Sequence, residues 1–139
     1  MFDRAPEGGG TTPHKESISA WVQRARPHLA PFLAAAGRLE EEVPSNLSRE
    51  GVESADRLVH EADVMLEWLL ADPCPHPDAE IELRAALGVC RNAAFAFRRL
   101  SLTNSRSAAG QLRRSCARLL AQGRHHLLSF QERTVFLDP

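Results

Sequence analysis

From Leu83 to Gln131 the chain carries no aspartate or glutamate, yet it holds nine arginines (84, 91, 98, 99, 106, 113, 114, 118 and 124) and the adjacent pair His125-His126. Glu82 and Glu132 stand just outside. Two apolar columns run through the same stretch: Leu83, Leu87, Cys90, Ala94, Phe97, then Ala109, Leu112, Cys116, Leu119, Gly123. Steps of three and four place each column on one face of a helix. Such a segment must fold as a helical hairpin that buries one side and turns a basic side outward.

The first half repeats the pattern. Ile18, Val22, Ala25, Leu29, Phe32, Ala36 and Leu39 form one column, and Val52, Ala55, Val59, Ala62, Leu66 and Leu69 form another. The breakers are as clear as the columns. Thr12-Pro13 suits a helix start, with proline at the first helical position. Pro44-Ser45-Asn46 ends the first helix, and Ser48 can cap the second. Asp72-Pro73-Cys74-Pro75-His76-Pro77 cannot be helical. Pro27 and Pro31 fall inside the first helix, where each removes a backbone donor and predicts a kink or break. The expected helices cover about 13–43, 48–72, 77–102 and 105–133.

Antiparallel helices joined by a short turn pair residues whose numbers add to a constant. A constant of 206 matches Leu83 with Gly123, Cys90 with Cys116, and Phe97 with Ala109, large against small as a packed seam requires. The expected fold is all-α, an antiparallel up-down-up-down four-helix bundle with a kinked first helix, one domain over 12–139 and a flexible tail over 1–11. With 139 residues, that is one domain of ordinary size.

Composition narrows the function classes. No apolar run approaches the ~20 residues of a membrane span. The N-terminus lacks the apolar centre of a signal peptide. Three cysteines without close pairing do not make a disulfide framework. The expected setting is cytoplasmic, away from membranes. There is no phosphate-binding glycine loop, no zinc spacing, no nucleophile elbow and no paired Glu-x-x-His. No cofactor and no small-molecule substrate is therefore expected.

Charge is the remaining signal. Net charge is −1, but residues 1–75 carry −6 and residues 76–139 carry +5. The nine arginines of the acid-free stretch are the candidate anion-binding residues, because guanidinium makes forked contacts to phosphate and carboxylate oxygens. Arg84, Arg91 and Arg98 recur every seven residues along one edge of the third helix. Glu40, Glu41 and Glu42 could meet Arg98, Arg99 or Arg106 at one end. The expected protein is a non-catalytic interaction module, presenting arginine to RNA, DNA or an acidic protein, or associating with itself. The opposing expectation is a solvated face bridged to the acids of the second helix.

Three smaller constellations complete the reading. Asp56, His60, Asp63 and Glu67 share a helix face at a spacing that could hold a metal, or else form the outer acidic face of helix two. Cys90 and Cys116 are expected to be buried, and Cys74 to be exposed in its connector. Arg118-Leu-Leu-Ala-Gln-Gly-Arg-His125 resembles the Arg, four to six residues, His motif of the HEPN helical-bundle ribonucleases. That resemblance implies RNA cleavage at a dimer interface by Arg118 and His125, although Leu119 replaces the polar residue that commonly follows the arginine. The length, topology and arginine-bearing last hairpin are also similar to the small basic four-helix bundles that accompany some reverse transcriptases.

Overall fold

The computed structural model describes residues 17–43 and 49–136. Four helices follow in order: α1 (Ile18–Glu42), α2 (Arg49–Ala71), α3 (Pro77–Arg99) and α4 (Arg106–Phe136), with a short 3-10 turn at Leu100–Leu102 after α3. No strand occurs among the described residues. The fold is an all-α helical bundle in which α1 packs on α2, α2 on α3 and α3 on α4. Contact between α1 and α4 is much sparser, and α2 and α4 make no comparable contact.

The helix ends follow local chemistry. Ser17 caps α1, its hydroxyl accepting from the Ala20 N–H at 3.2 Å. The start expected at Thr12-Pro13, the tail over 1–11 and the Ser48 cap lie outside the described residues. Pro77 opens α3, Asp78 and Glu80 occupy its first turn, and Arg98 and Arg99 its last. Those charges complement the helix dipole at both ends. Ser105 caps α4 through the Ala108 N–H at 3.2 Å. Pro27 and Pro31 lie within α1, which is helical throughout, so no break occurs there. Both prolines are exposed, where water can satisfy the carbonyls they leave without donors.

The core is wider than one column per helix. Trp21, Phe32, Leu39, Leu58, Met65, Leu69, Leu83, Leu87, Cys90, Phe97 and Cys116 are the largest fully buried side chains. Trp21, Leu58 and Met65 fall outside the expected columns, whereas Val22, Val59 and Leu66 are only partly buried. A helix packed against two neighbours must bury a stripe of at least ~100°, not a single seam. Each such large side chain contributes about 1.5–3 kcal/mol on burial.

The pairing of α3 with α4 differs from the expected one. A Cβ on Gly123 would meet Cys90 Sγ first and the Ala86 carbonyl behind it, so Gly123 does not seat on Leu83. Gly123 lies against Ala86 and Cys90, on the C-terminal side of the expected Leu83.

One end of the bundle is tied to the proline connector. The Trp21 indole N–H donates to the Asp72 carbonyl at 2.9 Å, and Arg24 grips the Asp72 carboxylate with Nε at 2.9 Å and Nη2 at 3.0 Å. The Arg24 guanidinium holds the Asp72 carboxyl below the ordinary range. Trp21 also packs against Trp68 and Phe130, and His28 stacks on Trp68 with ring centres 4.8 Å apart.

Candidate anion-binding site

The bundle divides the nine arginines into two sets. The heptad edge of α3 faces acids. Arg84 Nε bonds Glu80 at 2.9 Å on its own helix, while Arg91 reaches Asp63 at 2.7 Å and Arg98 reaches Asp56 at 3.1 Å across to α2. Arg91 also lies over the Phe95 ring, 4.9 Å from its centre. Arg124 pairs with Glu40 on α1. These four are engaged with acids, which narrows the nine-residue expectation. The meeting expected between Glu40 and Arg98, Arg99 or Arg106 is replaced by this contact with Arg124.

The other five, Arg99, Arg106, Arg113, Arg114 and Arg118, have no ion pair among the described residues. They occupy the α3 end and the first half of α4. No acid can reach them along their own helix, because none occurs between Glu82 and Glu132. The acids of α2 are held away, since α2 and α4 lie apart and α3 takes Asp56 and Asp63. Arg99, Arg106, Arg114 and Arg118 are exposed. Arg113 is half-buried, and its Nε is enclosed without a hydrogen-bond partner.

Between the α3 end and α4 runs an open groove of about 410 Å³, lined by Arg99, Leu102, Thr103, Ala108, Gln111, Leu112 and Ser115. Its rim residue Leu102 is 83% exposed. A second, smaller groove of about 180 Å³ lies between α1 and α4, with Cys90, Leu120, Arg124 and Leu127 among its lining residues.

The remaining candidates are placed as follows. Arg118 and His125 are both exposed on α4, two turns apart on one stripe, and the His125 ring stands edge-on to His126, 6.1 Å between centres. His126 turns inward to Glu82, which also accepts from Ser129 and stands 3.8 Å from Arg133. The Ser129 hydroxyl and then His126 hold the Glu82 carboxyl below the ordinary range. The four helix-two residues proposed for a metal are not brought to one point: Asp56 and Asp63 are taken by arginines, and no group of three or more potential ligands forms among the described residues.

All three cysteines are buried. For Cys74 this corrects the expectation of exposure. Its N–H donates to Glu80 at 2.8 Å, folding the connector against the bundle end. Burial pushes the thiols of Cys74, Cys90 and Cys116 up to about 11. At neutral pH they are protonated and poorly nucleophilic.

Sequence reasoning missed the Glu82 cluster, the Trp21–Asp72 tie and the groove. Glu82 was legible as the last acid before the basic stretch, but its three partners depend on which α4 turn packs beside it. Compared with known protein families, curated proteins and solved structures, the chain matches none.

Proposed function

We propose that this protein is a non-catalytic interaction module that uses the unpaired arginines of the α3 end and α4 to hold an anionic macromolecule. The observation that carries this reading is the division of the arginines. Those on the α3 edge are neutralised by α2 and Glu80, whereas Arg99, Arg106, Arg113, Arg114 and Arg118, at the α3 end and on the first half of α4, have no ion pair among the described residues. Guanidinium groups without an acid gain most from a partner with closely spaced oxygens, nucleic acid or an acidic protein surface. A second copy of this chain belongs to the same class, because α2 exposes Glu50, Glu53 and Glu67.

The test compares two double variants in binding to a single-stranded RNA and to an acidic polypeptide. Arg114→Glu with Arg118→Glu removes binding by tenfold or more. Arg91→Glu with Arg98→Glu, whose arginines are already paired, weakens binding far less. Equal losses from both pairs would count against the reading.

A second reading rests on Arg118 and His125 standing exposed on one stripe. In a dimer that opposed two such stripes, they would form an RNA-cleaving site like that of the HEPN ribonucleases. RNA cleavage abolished by His125→Ala would support it, and binding without cleavage supports the first reading.

A further inference from the structure

We propose that the groove between the α3 end and α4 is a seat for a nucleotide phosphate. This rests on the anion-binding reading and adds to it a defined pocket and a chemical class. At about 410 Å³ the groove lies within the ~300–1,000 Å³ span of small-molecule sites. Its lining combines the two features that a nucleotide demands. Arg99, Thr103, Gln111 and Ser115 supply a guanidinium, two hydroxyls and a carboxamide; Leu102, Ala108 and Leu112 supply an apolar surface.

The charge of this groove is set by helical geometry. Arg98 and Arg99 are successive residues, so they leave α3 about 100° apart. Arg98 turns to Asp56 on α2, and Arg99 is left on the groove side without an acid partner among the described residues. On the opposite wall, residues 108, 111, 112 and 115 of α4 share one face at steps of three and four. Among the described residues no carboxylate lines the groove.

A phosphate fits this set better than a carboxylate does. It offers three terminal oxygens, so it can accept from the guanidinium fork, from a hydroxyl on each wall and from the amide together. A carboxylate has only two oxygens. Leu102, which is 83% exposed, costs free energy in water and gives a base or sugar an apolar face to lie on. The same chemistry is presented by a free nucleotide and by the end of a nucleic-acid strand.

The test is titration of the isotope-labelled full chain, followed by amide NMR, with adenosine 5′-monophosphate, adenosine and inorganic phosphate. The proposal expects saturable shifts at Thr103, Ala108, Gln111 and Ser115 with the nucleotide, weaker shifts at the same residues with phosphate, and none with adenosine. Arg99→Gln and Ser115→Ala each weaken the nucleotide, Arg99→Gln by tenfold or more, while Arg26→Gln on α1 leaves it unchanged. The spectra of the variants themselves show whether each is folded.

Equal binding of adenosine and its monophosphate, or unchanged affinity in Arg99→Gln, would overturn the proposal. So would shifts that fail to saturate and spread over every arginine. A 5′-phosphorylated trinucleotide assigns the source: tighter binding than the mononucleotide points to a strand end, equal binding to a free nucleotide. RNA bound through Arg114 and Arg118 with a silent groove refutes this inference alone. A responsive groove in a chain that binds no polymer refutes the function proposed above and leaves the groove standing.

Discussion

Gly123 and Gly37 show how differently single residues are constrained here. A Cβ on Gly37 meets nothing within 4 Å, whereas one on Gly123 collides with Cys90 Sγ. Removing a mid-helix glycine favours the helix by about 0.5–1 kcal/mol, and overpacking a core costs about 1–3 kcal/mol. Gly37→Ala therefore raises stability, and Gly123→Ala lowers it in the native background. With Cys90→Ala the obstruction is gone, so Gly123→Ala becomes stabilising; urea titration of the double-mutant cycle measures that change of sign. The cysteines make a second residue-scale prediction. Buried thiols held near 11 react slowly with iodoacetamide at pH 7.5 in the folded protein, Cys74 included, and all three react fully once the chain is unfolded. Fast labelling of native Cys74 would show that the connector is not held down by Glu80.

At the scale of helices, two polar ties lock neighbours together: Arg24 and Trp21 on Asp72, and His126, Ser129 and Arg133 on Glu82. Glu82 is held below the ordinary carboxylate range when folded, so it binds fewer protons folded than unfolded. Its contribution is complete above the ordinary glutamate value and fades as pH falls below that value and through the lower, folded one. Glu82→Gln therefore flattens the acid side of the stability profile; an unaltered profile would mean the cluster is not formed. Asp72→Asn acts the same way but costs less than about 1 kcal/mol, because an exposed pair gains little. The existence and order of the helices were legible from apolar columns and prolines, since both are properties of the local chain. What packs beside what was not. Trp21, Leu58 and Met65 lie one position off the expected columns because each helix touches two neighbours. The Cys90–Gly123 contact depends on how α3 and α4 are set against each other along their length, which no local signal in the chain specifies. Arg91 and Arg98 read as a regular basic edge, but sequence spacing does not tell which way that edge faces, and it faces Asp63 and Asp56 on α2.

For the molecule as a whole, a net charge of −1 hides an arrangement in which α3 mediates between an acidic α2 and a basic α4. A nearly neutral chain has little long-range pull on a polyanion, so the proposed affinity rests on Arg99, Arg106, Arg113, Arg114 and Arg118 acting locally. That makes the salt dependence of binding the most direct test. For single-stranded RNA, log K falls against log salt with a slope of about −0.7 per neutralised phosphate. Engagement of most of this cluster predicts a slope of roughly −2 to −3.5. Replacing Arg106, Arg113, Arg114 and Arg118 by glutamine brings the slope close to zero, whereas replacing the paired Arg84, Arg91 and Arg98 leaves most of it. A slope that is near zero in the native chain, or that survives loss of the four α4 arginines, would contradict the account.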